Sequence, residues 1–289
     1  MASQTSAHWK SISWVCAGLL AAVLMTAWLT RLWVLTAPPV GFLFGFFLQR
    51  GDLCGSSAFS EVLLLRDRSK VYGLWILIVV AMLGFALLDV LDLVQLAPKQ
   101  LLWLSYLAGG VVFGACGPAV IIAGPSPQGA NRPPWLQRVL TRPWRPWQAG
   151  LMIGLLAGPA YLSSAASGRN YPLGVTNGVL HLQQLLIDSQ KHVVWWLVLV
   201  VAALVLGAWV AGRLSGQARL LPKPPEQIVT AFVGGILVGM GAAFANGCVV
   251  GNIMSGLALM SVGMVIFTAA TILANWLVTW LYLMGGAGR

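Results

Sequence analysis

The sequence predicts an all-α polytopic membrane protein with about eight membrane-crossing elements in two pseudo-repeat halves. Of its 289 residues, 58% are hydrophobic and only 8% are charged. The 33 glycines bring the apolar fraction to about 69%, against roughly 45–50% in soluble domains. The mean hydropathy is +0.83. This composition excludes a water-soluble enzyme, a disordered chain and a secreted disulfide scaffold.

The apolar stretches occupy the whole chain, so we expect a single transmembrane domain over residues 1–289. A proline- and arginine-rich, tryptophan-containing connection at 124–147 separates a first half, about 12–123, from a second half, 148–284. Within them, stretches long enough to cross a bilayer lie at about 12–36, 40–65, 71–93, 101–123, 148–166, 193–211, 228–256 and 262–284.

Polar residues interrupt two of these stretches. Gln49 to Asp52 interrupt the stretch 40–65, and Asn246-Gly247 interrupts the stretch 228–256. Non-helical backbone is tolerated at membrane depth only where it faces protein or a watery cavity. We therefore expect broken or re-entrant half-helices here, with cysteines at the centre of the protein.

Basic residues concentrate in three loops, and two spans separate each loop from the next. The net charge is +10, and the positive-inside rule places these loops and both chain termini in the cytoplasm. We expect lipid rather than nucleic acid as their partner. The loops carry Arg66, Arg68 and Lys70, then Arg132, Arg138, Arg142 and Arg145, then Arg213, Arg219 and Lys223. The opposite face has Lys99, Arg169 and Lys191, offset by Asp89, Asp92 and Asp188.

A repeat places two of the four cysteines in the same position. Small residues four apart allow membrane helices to pack closely, and such glycine pairs occur at Gly41/Gly45, Gly110/Gly114, Gly150/Gly154 and Gly235/Gly239. The ninth residue after each pair is Cys54, Ala123, Ser163 and Cys248, respectively. If a half-helix starts after each cysteine, its free N–H groups and positive dipole end suit an anion, and the thiol adds a weak S–H donor.

Seven residues are candidates for substrate binding: Cys54, Cys248, Cys116, Arg50, Asn246, Gly247 and Asn252. A charge at membrane depth is costly and by default functional, although Arg50 could instead pair with Asp52 or Glu61. Asparagine can donate to an anion or simply cap a helix. Cys16 fits an apolar helix face. The sequence has no C-x-x-C pair, zinc-ligand spacing or phosphate-binding loop, so we expect no metal, no cofactor and no catalytic residues.

The stretch from Gly234 to Cys248, followed by Gly251 and Ser255-Gly256, resembles the last motif of the YeeE/YedE family. These are bacterial inner-membrane proteins of the sulfur-transport class, and they include thiosulfate importers. The segment from Gly41 to Cys54 is similar to the family's first cysteine motif. The resemblance implies that central cysteines pass a thiosulfate-like anion inward through S–H···S contacts, with Cys54 and Cys248 as the matching cysteines.

Two positions depart from the family pattern. The second motif usually ends Gly-Gly-Cys, whereas the match here reads Ile121-Ile122-Ala123, and Cys116 lies seven residues earlier. The last motif often has arginine where this chain has Ala243. Whether Cys116 replaces the missing cysteine stays open at this point.

The favoured interpretation is a multi-pass permease of the bacterial inner membrane that imports a small sulfur anion such as thiosulfate. A cytoplasmic sulfur-handling protein is a candidate partner at the basic loops. The missing second-motif cysteine favours an alternative, a transport-inactive sensor or partner protein with the same fold. A membrane thiol oxidoreductase is the second alternative, although it would need paired, exposed, low-pKa cysteines.

Overall fold

The computed structural model describes residues 32–121, 144–187, 193–215 and 224–284, apart from Ala97, with scattered positions between 18 and 30. Cys16, Ala123 and most of the connection 124–147 lie outside these residues. The described parts are helical: a 3-10 turn Trp33–Thr36, then α1 (Ala37–Gly51), α2 (Gly55–Leu64), α3 (Ser69–Val90), α4 (Trp103–Ile121), α5 (Pro146–Ala166), α6 (Val175–Ile187), α7 (Trp195–Leu214), α8 (Pro225–Phe244), a π-helical segment Val249–Gly256, α9 (Val262–Val278) and a second π-helical segment Thr279–Met284.

Five helical segments in the described part of the chain are long and apolar enough to cross a bilayer. They are α3, α5, α7, α8 and the segment Val262–Leu281, and the first 14 residues of α4 form a shorter apolar helix. Large apolar side chains such as Leu83, Val205 and Phe232 are exposed on the outside of these helices. Such a surface is stable only against lipid, and the protein is an all-α polytopic membrane protein, as the composition predicts.

Glycines bring the helices into backbone contact. In the pair α1 and α7, a Cβ atom on Gly41 would lie 2.3 Å from the carbonyl oxygen of Val200, and one on Gly45 would lie 2.1 Å from that of Leu204. The same holds between α5 and α3, where Gly150 meets the carbonyl of Gly73. Only glycine leaves room for these approaches, so the sequence pairs mark real packing surfaces.

The third glycine pair also packs, but the fourth does not. In α4, Gly114 lies against the Thr271 carbonyl of α9. In α8, by contrast, a Cβ atom on Gly235 or Gly239 would have no neighbouring atom within 4 Å. Instead α8 packs on α4 through Gly241, whose Cβ would meet the backbone of Phe113 at 2.6 Å. The fourth glycine pair therefore does not pack against another described helix, and the contact between α8 and α4 is made at Gly241.

The helix directions define two faces of the bundle. Helices α3 and α5 run in parallel, so their starts share one end. We call that end the basic face, because it holds Arg66–Lys70 and the start of α5. The 22 residues of α3 extend about 33 Å to the other end, which we call the Lys99 face. It holds the loop Leu91–Leu102 and the loop Ser167–Gly174.

The glycine packing predicts a contrast between two matched variants. Gly45→Ala forces a methyl group against the Leu204 carbonyl, and such overpacking typically costs about 1–3 kcal/mol. We expect the midpoint of thermal unfolding in detergent to fall by roughly 3–10 °C. Gly235→Ala adds the same methyl group in open space, so it should keep or raise the midpoint. Equal midpoints for the two variants would contradict the packing.

Candidate functional site

The structure has both helix breaks that the sequence predicts, and a cysteine lies at each. Helix α1 ends at Gly51, Asp52 adopts a left-handed conformation with φ of 47°, and Cys54 directly precedes α2. Helix α8 ends at Phe244, and Cys248 directly precedes the π-helical segment. Both cysteines are thus the residue from which a new helix starts.

The third position of the repeat is different. Ser163 lies inside the uninterrupted helix α5. Its hydroxyl is hydrogen-bonded to Thr36 and accepts from Trp196 Nε1 at 2.8 Å. Ser163 therefore links the ends of three helices. The helix is not broken at this position of the repeat.

The two new helices start against each other. A Cβ atom on Gly55 would lie 2.6 Å from Cγ1 of Val249, so the first residues of α2 and of the π-helical segment touch. Cys54 and Cys248 each precede one of these two residues. Residues 194 positions apart in the chain are therefore neighbours through this contact.

Side chains satisfy the backbone at the second break. Asn252 is fully buried, and its Nδ2 donates to the carbonyls of Ala245 at 3.1 Å and Gly247 at 2.8 Å. Nζ of Lys99 donates to the carbonyl of Asn246 at 2.7 Å and to Oδ1 of Asn252 at 2.9 Å. Three successive carbonyls thus have polar partners, and the amide hydrogens of Asn252 are used within the protein.

A narrow cleft lies over Cys248 on the Lys99 face. It is too narrow to admit a water molecule. Two cations lie near the Tyr171 ring, Lys99 Nζ at 5.1 Å and Arg169 Cζ at 5.3 Å from its centroid, and Tyr171 Oη donates to the carbonyl of Gly251. The cleft is lined by Lys99, Tyr171, Gly174, Thr176, Asn177, Asn246, Gly247, Cys248 and Gly251.

Burial changes the ionisation of the two cations. It lowers the pKa of Lys99 to about 8, with Arg169 acting in the same direction and the Cys248 thiolate in the opposite one. Burial also lowers the pKa of Arg169 to about 10. The Arg169 guanidinium donates to the carbonyls of Tyr171 at 2.9 Å and Pro172 at 2.7 Å. Both cations are therefore held by neutral oxygens rather than by carboxylates.

The first break faces the other end of the bundle. Cys54 is exposed, and Lys70 in the first turn of α3 pairs with Asp52 at 2.5 Å and with Glu61 at 2.6 Å. The sequence left open an ion pair of Arg50 with Asp52 or Glu61. In the structure both carboxylates are paired with Lys70, and the buried Arg50 guanidinium lies 5.9 Å from the Phe46 ring centroid.

Of the remaining candidates, two lie at the second break and one lies in α4. Asn246 and Gly247 belong to the second break, where Asn246 has a left-handed φ of 48°. Cys116 is partly buried in α4, which packs against α2. Among the described residues, no group of His, Cys, Asp and Glu side chains could hold a metal ion.

Sequence reasoning missed Lys99, Tyr171 and Arg169 as members of the site. A signal for two of them was present. Lys99 and Arg169 are cations on the face opposite to the basic loops, where the charge bias of membrane proteins disfavours them. The acidic residues that were expected to offset them are not their hydrogen-bond partners in the described part of the chain.

The contacts at the second break predict that Gly247 and Gly251 differ in how well they tolerate replacement by alanine. A Cβ atom on Gly247 would lie 2.3 Å from Oδ1 of Asn252, whereas one on Gly251 would lie 3.9 Å from its nearest neighbour. We expect Gly247→Ala to displace Asn252, lower the thermal midpoint by several degrees and change the rate of thiol labelling at Cys248. Gly251→Ala should leave the thermal midpoint close to wild type. If Gly247→Ala behaves like Gly251→Ala, the hydrogen bonds of Asn252 do not hold the break in place.

Comparison with known proteins identifies the family. The profile of the sulphur transport family matches residues 50–117 and 119–277. The thiosulfate transporter TsuA of Spirochaeta thermophila is 27% identical over 84% of this chain and 97% of its own length. TsuA of Escherichia coli K12 is 30% identical over 47% of this chain and 40% of its own length. The chain belongs to the sulphur transport family, the YeeE/YedE family of membrane proteins.

Proposed function

We propose that this protein imports thiosulfate or a closely related sulfur anion across the bacterial inner membrane through two thiol stations, first Cys248 and then Cys54. The observation that carries the proposal is the contact between Gly55 and Val249. It brings together two helix starts, and each start has a cysteine directly before it. The similarity to two thiosulfate transporters over the stated lengths supports the same substrate.

The chemistry of each station suits a soft anion. A helix start presents unpaired N–H groups and the positive end of the helix dipole, and transporters use such half-helix starts to hold anionic groups. The S–H group adds a weak, polarisable donor. A terminal sulfur atom of thiosulfate is itself soft and polarisable, so a thiol recognises it better than it recognises a hard oxyanion.

The charges around the two stations fit capture at one face and release at the other. Cys248 adjoins Lys99 in the cleft, and Arg169 adds a second positive charge nearby. At the Cys54 break, by contrast, the two carboxylates of Asp52 and Glu61 share one lysine. An anion is therefore attracted to the Cys248 station and held less strongly at the Cys54 station. Its consumption in the cytoplasm then sets the direction of net flow.

Cys116 offers a third thiol, on the helix that packs against α2. It is partly buried in this helix, α4. We propose that it compensates for the alanine at position 123, so that the chain keeps a thiol beyond the first break. An intact Cys54 and Cys248 pair together with a functional Cys116 would distinguish a permease from the sensor alternative.

Replacing the station thiols should impair uptake. Removing one hydrogen-bond donor costs about 0.5–1.5 kcal/mol, which slows passage about 2- to 13-fold, and more where the anion is left desolvated. We expect Cys54→Ala and Cys248→Ala to show at least this loss of labelled thiosulfate uptake in proteoliposomes. The double variant should be scarcely worse than the worse single variant, because both thiols serve one path.

Two further cysteines provide the comparison. Cys16→Ala should keep uptake within about twofold, since an apolar cysteine behaves as a small hydrophobe, whereas Cys116→Ala should reduce it. Protein amount in the membrane is measured for every variant. Near-wild-type uptake in both Cys54→Ala and Cys248→Ala would end the two-station proposal. An absence of uptake by the wild-type protein would favour the sensor function.

The proposed orientation can be tested without transport. We infer that both termini and the basic face lie in the cytoplasm, because the loops there carry most of the positive charge. Reporter fusions at Gln128 and Gln184 should therefore give opposite results, cytoplasmic for the first and external for the second. The same result at both positions would contradict the topology with eight crossings.

A further inference from the structure

Lys99 lies in the loop between α3 and α4, and its side chain lines the cleft above Cys248. Its backbone N–H is fixed by Ser261 Oγ at 3.0 Å, while its ammonium group bonds the Asn246 carbonyl and the Asn252 side-chain oxygen. The side chain therefore reaches across from the loop between α3 and α4 to the second break. Since the cleft is too narrow for a water molecule, an ion can enter only if lining residues move, and Lys99 is one of these residues.

The partners of Lys99 leave its positive charge uncompensated. Both oxygen atoms belong to amides and carry no net charge. The titratable groups around it are Arg169 and Tyr171 from the loop after α5 and Cys248 from the break, with Tyr106 of α4 bonded to the neighbouring Gln100 carbonyl. A hydrogen bond from an ammonium to a neutral oxygen is weaker than one to an anion. An arriving anion therefore replaces these bonds more favourably than a neutral or cationic solute does.

We propose that Lys99 determines anion selectivity at the entrance to Cys248 by exchanging its bonds with Asn246 and Asn252 for the incoming anion, which opens the cleft. This inference rests on the proposed function for the identity of the anion, but its mechanism requires only a negative charge. A ligand shifts such an equilibrium only by its differential affinity for the two states. Here that difference is the attraction between the ammonium group and the anion.

Thiol labelling tests the proposal independently of transport. In a full-length chain whose Cys16, Cys54 and Cys116 are replaced by serine, Cys248 is the single thiol. It is labelled in detergent with an anionic reagent, sulfonatoethyl methanethiosulfonate, and with a cationic one, trimethylammonioethyl methanethiosulfonate. Both reagents are attacked by the same thiolate and release methanesulfinate, so the ratio of their rates is independent of the thiolate fraction.

The charge of Lys99 should control this ratio. We expect the anionic reagent to be favoured in the parent chain, and Lys99→Met to lower the anionic-to-cationic ratio roughly tenfold, as the screened attraction of one nearby charge predicts. Lys99→Arg keeps the charge and should keep the ratio within about threefold. An unchanged ratio in Lys99→Met would overturn the proposal.

A pH series gives the second readout. Lysine is charged below its pKa, and the pKa of Lys99 is about 8. The ratio in the parent chain should therefore be high at pH 6.5 and fall as the pH rises through about 8. In Lys99→Arg it should stay flat over the same range, because arginine remains charged. A parent ratio that does not change between pH 6.5 and 9.5 would contradict the role of Lys99.

A matched single-thiol chain separates a local effect from damage to the fold. When Cys54 is kept and Cys16, Cys116 and Cys248 are replaced by serine, the thiol lies at the break beside Lys70 rather than Lys99. Lys99→Met should change its ratio much less than it changes the ratio at Cys248. An equal change at Cys54 and Cys248 would show a general disturbance and overturn the proposal.

Uptake measurements then separate this inference from the proposed function. Lys99→Met should raise the KM for thiosulfate more than it lowers kcat, since the residue acts at entry. If the labelling ratio responds as expected but the wild-type protein carries no thiosulfate, the anion entrance stands and the substrate assignment fails. If thiosulfate is carried and neither KM nor the ratio changes in Lys99→Met, the selectivity role fails and the permease stands.

Discussion

The site depends on the need to satisfy three consecutive backbone carbonyls where helix α8 breaks. Burying a carbonyl group without a hydrogen-bond partner costs free energy. The amide group of Asn252 donates hydrogen bonds to the carbonyls of Ala245 and Gly247, and the ammonium group of Lys99 donates one to the carbonyl of Asn246. The same two side chains bond each other. The break, the position of Cys248 and the cleft above it therefore form one hydrogen-bonded unit.

Most of the helical framework could be predicted from the sequence, because the signals for it are local. Apolar stretches of bilayer length, polar interruptions and glycine pairs are all read within about 20 residues, and the structure has the two predicted breaks. The exception is α8. The spacing of Gly235 and Gly239 gives no indication of which side of the helix faces a neighbour, whereas the structure packs Gly241 against α4.

The site was less predictable, because its contacts join distant segments. Cys54 and Cys248 were found from their common position in a repeat, but Lys99 and Tyr171 reach the second break from loops about 150 and 80 residues away in the chain. No local pattern links those loops to Asn246. The cations of the Lys99 face are visible in the sequence, but the sequence offers neighbouring acidic residues as their partners. Asn252 is recognisable in the sequence as a polar residue of the break, but its bonds to the Ala245 and Gly247 carbonyls depend on the path of the chain between them.

The two breaks share a plan but differ in electrostatics. Each has a cysteine before a helix start and a lysine from another segment of the chain. This lysine is Lys70 at the first break and Lys99 at the second. Lys70 is held by two carboxylates, which cancel its charge. Lys99 is held by amide oxygens, which position the ammonium group without cancelling its charge. One arrangement of a cysteine and a lysine at a helix start therefore has a charge-compensated cation at the first break and an uncompensated one at the second.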